Sequence, residues 1–164
     1  SGRAFLHVRA PAVHLIIVGA THIAQILIDL ARRVGWSVAL AHPRSAFATD
    51  DRFGCEIPRS TEWPEASLAA MTLDNRTAVI TLTHVGNIDD EALISAIRSP
   101  CFYIGALGSR RTHAARVARL QAAGLTDAEI GRIHAPIGLN IGAVGPAEIA
   151  VSILSEIVKE LRGA

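Results

Sequence analysis

Val13 to Ala24 reads VHLIIVGATHIA, and this stretch decides the fold. Val13, Leu15, Ile16, Ile17 and Val18 form a short apolar run, β-branched at four of these five positions, as a buried strand requires. Gly19 ends the run. Ile23, Ala24, Ile26, Leu27, Leu30, Ala31 and Val34 then recur at helical spacing, and Gly35 supplies a C-terminal glycine. A strand that becomes a helix through a glycine turn opens a nucleotide-binding α/β unit. The fingerprint of such units, G-x-G-x-x-G/A, is here Gly19-Ala20-Thr21-His22-Ile23-Ala24, with threonine at the middle glycine.

Outward from this unit the same alternation continues. A second strand is expected over Trp36 to Ala41, closed by His42-Pro43, followed by a polar, irregular segment from Arg44 to Gly54. A short third strand is placed at Gly54 to Ile57 and a short helix over Glu62 to Met71. Thr77 to Thr83 (TAVITLT) is the clearest strand, and a helix follows over about Asp89 to Arg98. Cys101 to Leu107 is the next strand, with Gly105 and Gly108 at its end, and Ser109 opens a basic helix that Gly124 stops. Thr126-x-x-Glu129 has capping-box spacing. His134 to Gly145 is a loop rich in Gly and Pro, and Pro146 suits the first position of a last helix over Ala147 to Leu161. Its stripe of Ile149, Ile153, Ile157 and Leu161 fits either core or an interface. Strands alternating with helices imply a three-layer α/β/α domain with a doubly wound, mostly parallel sheet. The expected organisation is a lead-in over residues 1–12, with Ala4 to Arg9 as an edge strand or an approach from upstream, and one domain over residues 13–164.

Composition narrows the function. The chain has 164 residues, half of them apolar, and a formal net charge of +1, so bulk electrostatics argue for neither nucleic acid nor a membrane surface. No apolar run approaches the roughly 18 to 20 residues that span a bilayer. Cys55 and Cys101 form no CxxC or zinc pattern and are expected to be free thiols in a reducing, cytoplasmic compartment.

Ligands of doubly wound sheets bind beyond the carboxyl ends of the strands. Four turns are expected there: Gly19 to His22, His42 to Arg44, Thr83 to Asn87 and Gly105 to His113, with the loop from His134 to Gly145 as a cover. At the first turn, Gly19, Ala20, Thr21 and His22 are candidate ligand contacts. Thr21 either donates to an anion at the helix N-terminus or simply caps the helix. The second strand ends in His42-Pro43-Arg44 where an NAD site would carry an acid, so Arg44 is either a contact for the 2′-phosphate of NADP(H) or a solvated arginine. Gly105-Ala106-Leu107-Gly108-Ser109-Arg110-Arg111 forms a second strand-turn-helix. Two glycines admit a ligand to the backbone, Ser109 caps, and Arg110 and Arg111 add charge-assisted donors for an anion. On the alternative reading the helix simply carries surface arginines, Arg116 and Arg119 among them. His84 completes the candidate set after the Thr77 to Thr83 strand. His22, His42, His84, His113 and His134 share the edge but show no metal-ligand spacing. Asp89 and Asp90 read as helix-starting charges.

Several stretches together resemble the C-terminal domain of the XdhC/CoxI family, accessory proteins of xanthine dehydrogenase and carbon monoxide dehydrogenase. They are GATHIAQ (Gly19 to Gln25), HPRSAFAT (His42 to Thr49), VITLTH (Val79 to His84), FYIGALGSRRTHAAR (Phe102 to Arg116) and IHAPIGLNIGAVGPAEIAVSILSEI (Ile133 to Ile157). The resemblance runs over Val13 to Arg162 and implies a Rossmann-like domain. In the family this domain usually follows a separate N-terminal domain, so the chain is expected to be either a piece of a longer protein or a short stand-alone member. Three positions depart from the commoner pattern: Thr21 in GAGH, His42 in DPR and Asn140 in GLDIGA.

The resemblance implies a non-enzymatic maturation factor. Such a factor binds molybdenum cofactor (molybdopterin), protects it during sulfuration and delivers it to an apo-molybdenum hydroxylase of the xanthine dehydrogenase type. A cysteine desulfurase is a further implied partner, and a homodimer is compatible with it. On this reading the molybdopterin phosphate sits on the Gly105 to Arg111 turn, with the Gly19 turn as the facing wall. The alternatives left open are an NADP-dependent oxidoreductase, a nucleotide-binding regulatory domain and a dimerisation or docking module.

Overall fold

A computed structural model describes residues 12–163. The expected strand at Ala4 to Arg9, with most of the lead-in, lies outside the described residues. Six parallel strands form the sheet: β1 (His14–Val18), β2 (Ser37–Ala41), β3 (Arg59–Ser60), β4 (Thr77–Thr81), β5 (Tyr103–Ala106) and β6 (Ile133–His134). Their order is β3-β2-β1-β4-β5-β6, the doubly wound dinucleotide-binding order, with the switch point between β1 and β4. All pairings are parallel; in one register row Ile17 lies between Leu40 and Ile80.

Alternation along each strand splits the core in two. One face carries Leu15, Ile17, Leu40, Ile80 and Leu82 and packs on α1 (His22–Arg33) and α7 (Pro146–Arg162). The other carries Ile16, Val18, Val79, Ile104 and Ala106 and packs on α3 (Pro64–Ala69), α4 (Gly86–Ile97) and α5 (Arg110–Ala122). This is the expected α/β/α sandwich. The α7 stripe is core: Ile153 and Ile157 are fully buried against α1, with Ile149 packed beside them. Burying a side chain of this kind contributes about 1.5–3 kcal/mol.

Local chemistry sets the boundaries. Thr126 and Glu129 form the complete capping box of the four-residue α6 (Asp127–Ile130), and Pro146 starts α7. Three expectations are corrected. The third strand lies at Arg59–Ser60 rather than Gly54 to Ile57, where Gly54 instead ends a helix with φ +75. The Arg44 to Gly54 segment is ordered as a 3-10 turn (Ser45–Phe47) and α2 (Asp50–Phe53). His134 belongs to edge strand β6, paired with Gly105, rather than to the loop that follows.

Candidate functional site

The first turn is held closed by its own chain. Gly19 has φ +122, a conformation L side chains rarely adopt, and a Cβ there would lie 2.9 Å from Thr83 Cγ2 and 3.0 Å from the Leu82 carbonyl carbon. The Thr21 hydroxyl oxygen accepts from the Ala24 N–H at 3.2 Å, so the helix-capping reading holds. Ala20 is buried, and its carbonyl accepts from Arg52 Nη2 at 3.1 Å. Arg52 Nη1 also donates to the Phe47 carbonyl at 2.7 Å, which fastens α2 over this turn. His22 is exposed at the start of α1, and Arg44 is exposed after β2. Burial, then the charges of Arg44 and Arg52, hold the His42 imidazole below its ordinary pKa.

The second turn is differently built. Gly105 lies inside β5 and is buried. A Cβ there would meet Ile137 Cδ1 at 2.5 Å and Tyr103 Cε1 at 2.9 Å, so this glycine admits the covering loop rather than a ligand. Gly108 makes the turn itself, with φ +140. Ser109 caps α5 through the Thr112 N–H at 3.1 Å. Beyond it the first N–H groups of α5 have no intrahelical acceptor.

Two clefts flank Leu107–Gly108. One, of about 380 Å³, lies between Arg110 and the loop from Pro136 to Ala143. That loop is fixed from both sides: the Ile137 N–H donates to the Ala106 carbonyl at 3.2 Å and Ser152 Oγ donates to the Leu139 carbonyl at 2.7 Å. Glu156 holds it further, accepting from Tyr103 Oη at 2.5 Å and from the Gly138 N–H at 2.8 Å. Burial and this carboxylate both raise the Tyr103 pKa, so the phenol stays a donor. The other cleft, of about 360 Å³, opens between the β4–α4 and β5–α5 turns, lined by Thr83, His84, Gly86, Asp89, Ser109, Thr112, Arg116 and Arg119 among others.

Sequence reasoning missed the floor of this second cleft. Asp89 and Arg116 are both 2% exposed. Thr83 Oγ1 donates to Asp89 Oδ1 at 2.6 Å, and Arg116 Nη2 donates to the Leu107 carbonyl at 3.0 Å and approaches Asp89 Oδ2 at 3.5 Å. Burial is the dominant influence on Asp89 and raises its pKa from 3.8 to about 6, against the opposing effects of Thr83 and Arg116. The signal was present in the phase of the helices. Arg116 lies four residues before buried Leu120, and Asp89 four before buried Leu93, so both fall on core-facing stripes.

Of the candidate residues, Gly108, Ser109 and His84 border the 360 Å³ cleft, and Gly108 and Arg110 border the loop cleft. Arg111 is exposed and borders neither. Gly19 meets the cleft only from behind, through Thr83, while Ala20, Thr21, His22 and Arg44 line neither cleft. Among the described residues, no helix is long and apolar enough to cross a membrane.

Residues 15–157 match the XdhC Rossmann domain family model. The chain is 33% identical over 158 residues, 94% of its length, to the uncharacterized protein YqeB of Escherichia coli K12, of which it covers 28%. It is 32% identical over 149 residues, 91% of its length, to a probable xanthine dehydrogenase subunit of Bacillus subtilis, covering 43% of that protein. It is 33% identical over 147 residues, 90% of its length, to the molybdenum cofactor insertion chaperone PaoD of E. coli K12, covering 40%. A solved structure described as a xanthine dehydrogenase from Bacillus halodurans superposes with a TM-score of 0.81 at 28% identity, over 96% of this chain and 45% of the other. The chain thus spans less than half the length of these relatives. With most of its length matched by one family model, and with the strand order and glycine turns that the fold requires, the chain belongs to the XdhC family through its Rossmann domain.

Proposed function

We propose that this domain binds molybdenum cofactor and serves its sulfuration or insertion into a molybdenum hydroxylase of the xanthine dehydrogenase type, without itself catalysing a reaction. The observation that carries the reading is the β5–α5 turn. There a glycine with φ +140 and a serine-capped helix N-terminus stand between two clefts, one walled by a fixed loop. The similarity to a molybdenum cofactor insertion chaperone supports the choice of ligand.

The residues present fit such a group. Molybdopterin carries a phosphate ester on a methylene of the pyran ring fused to its pterin. Helix N-terminal N–H groups with nearby arginines suit the phosphate, and a cleft of about 380 Å³ walled by Ile137, Leu139 and Ile141 suits an apolar-faced ring. On this reading Gly108 allows close backbone approach, while Ser109 caps the Thr112 N–H and leaves the Arg110 and Arg111 N–H groups for the ligand. Arg110 adds charge-assisted donors at the cleft, Arg111 adds positive charge from the exposed face beside it, and the loop at Pro136 to Ala143 excludes water from one side. When bound, the cofactor supplies the metal chemistry that the acceptor enzyme uses. Handover requires a transient contact with the apo-molybdoenzyme, and sulfuration requires a sulfur donor such as a cysteine desulfurase. Both belong in a reducing cytoplasm, consistent with the free thiols Cys55 and Cys101.

The test is retention. The purified chain is mixed with released molybdenum cofactor, desalted and assayed for retained pterin by fluorescence, in parallel with NAD(H) and NADP(H). Retained pterin, reduced by the double substitution Arg110→Ala with Arg111→Ala, is the expected result. Tight NADPH binding without pterin retention sinks this reading in favour of an NADP-dependent oxidoreductase using Arg44.

A further inference from the structure

A buried guanidinium is the most demanding group in this molecule, and Arg116 is incompletely satisfied. Its Nη2 is engaged by the Leu107 carbonyl and Asp89, but Nε and Nη1 are buried and have no acceptor among the described residues. A buried donor without a partner costs about 1–3 kcal/mol, more when it is charged. Arg116 also lines the 360 Å³ cleft, with these two donors enclosed just beneath its surface.

Two helix N-termini favour negative charge at the same place. The α4 N-terminus faces the cleft through Gly86; its N-cap residue Val85 provides no side-chain cap, and although the Ile88 N–H is taken by the Val85 carbonyl, the Gly86 and Asn87 N–H groups precede any intrahelical acceptor. The α5 N-terminus faces it through Ser109 and Thr112. Arg119, bidentate to Asp90 at 2.5 and 3.0 Å, forms part of the wall, with Nη2 3.3 Å from where a Gly86 Cβ would stand. Any side chain at position 86 would therefore press on this guanidinium at the cleft wall.

We propose that the cleft between the β4–α4 and β5–α5 turns is an oxyanion seat that takes the phosphate ester of the ligand, with Arg116 as the binding residue and Thr83 and Asp89 as the pair that position it. Asp89 neutralises the guanidinium from one side only, and the Thr83 hydroxyl fixes the carboxylate so that the remaining nitrogens stay free for an incoming oxygen. This inference rests on the reading of the domain as a carrier of a phosphate-bearing cofactor, but the charged group is seated on Arg116 beneath the turn, rather than on Arg110 and Arg111 alone.

Inorganic phosphate is the probe, because it tests the seat without the pterin. It is titrated into the whole chain, and the Nε–H resonance of Arg116 is followed by NMR. A saturable shift is expected. The paired substitution Arg116→Gln with Asp89→Asn removes both buried charges and so avoids stranding either one. It should weaken phosphate roughly 10- to 100-fold, the worth of one or two charge-assisted hydrogen bonds. Arg33→Gln, an equal loss of positive charge at the far end of α1, should change it less than about twofold. Thr83→Val should weaken phosphate and broaden the Arg116 resonance, as loss of positioning predicts. An unmoved Nε–H signal, no saturable phosphate binding, or undiminished affinity in the paired variant each overturns the seat. Phosphate binding through Arg116 without pterin retention would instead refute the cofactor reading and leave the seat standing.

Discussion

Replacing Asp89 by Asn isolates the most consequential charge in the fold. Burial raises the Asp89 carboxyl from 3.8 in the unfolded chain to about 6 in the folded one. A raised acid pKa means that the folded state holds its proton where the unfolded state has released it. Stability from this group is therefore complete below about pH 3.8 and is lost as pH climbs through about 6. The difference of about two pKa units corresponds to ~3 kcal/mol at neutral pH. Other groups slope the opposite way: His42 and His113 lie below their ordinary values, first through burial, and Glu56, Asp74 and Glu129 are lowered by hydrogen bonds. Their stabilisation is lost as pH falls, so the pH profile of the parent chain alone is not diagnostic. The difference between parent and Asp89→Asn removes these shared contributions. Asn keeps an acceptor for the Thr83 hydroxyl and for Arg116 but does not ionise. Urea denaturation followed by circular dichroism at intervals between about pH 4 and pH 7.5 should show the parent losing most of that ~3 kcal/mol relative to the variant, steepest below pH 6. A difference flat to within about 0.5 kcal/mol across the range refutes the reasoning, because a carboxylate that costs nothing to ionise is not desolvated.

Gly19→Ala should lower stability by roughly 2–4 kcal/mol in the same denaturation assay, since the residue has φ +122 and its Cβ would stand 2.9 Å from Thr83 Cγ2. Thr21→Val should cost about 1 kcal/mol through loss of the Ala24 cap, with circular dichroism otherwise unchanged. Tyr103→Phe should cost about 1–2 kcal/mol and speed hydrogen exchange at the Gly138 amide, because Glu156 then keeps only one of its two short contacts to β5 and the loop.

What was legible in the sequence was what repeats locally. The run from Val13 to Val18, the break at Gly19 and the helical spacing after Ile23 suffice for the first crossover, and copies of that pattern give the sheet. The capping box at Thr126 and Glu129 is likewise a short-range signal. β3 and β6 are two residues each, too short for period-two alternation to register, and they owe their place to neighbouring strands. The site was half legible. Glycines and arginines mark the second turn, but Gly105 serves packing and Arg111 faces solvent. Arg116 was passed over because an arginine in a basic helix is ordinarily solvated. Its burial depends on an aspartate 27 residues earlier and on a threonine in the β4–α4 turn.

The two glycine turns occupy equivalent ends of parallel strands, yet they differ in what remains unsatisfied, and that difference tells where a ligand gains most. At the first turn the threonine oxygen is engaged by Ala24, the Ala20 carbonyl by Arg52, and the space above Gly19 is filled by Thr83. A ligand arriving there finds a helix N-terminus worth about 0.3–1 kcal/mol to an anion, but no side-chain cation among these residues left without an acceptor. At the second turn a helix of the same kind is joined by a guanidinium with two unmatched nitrogens, already desolvated by the fold. An oxyanion reaching those nitrogens relieves an existing deficit of about 1–3 kcal/mol per donor without stripping water from the arginine again. The cost of burying Arg116 was met when the chain folded, and this preorganisation makes the Thr83, Asp89 and Arg116 cluster, rather than the fingerprint turn at Gly19, the place where anion affinity should concentrate.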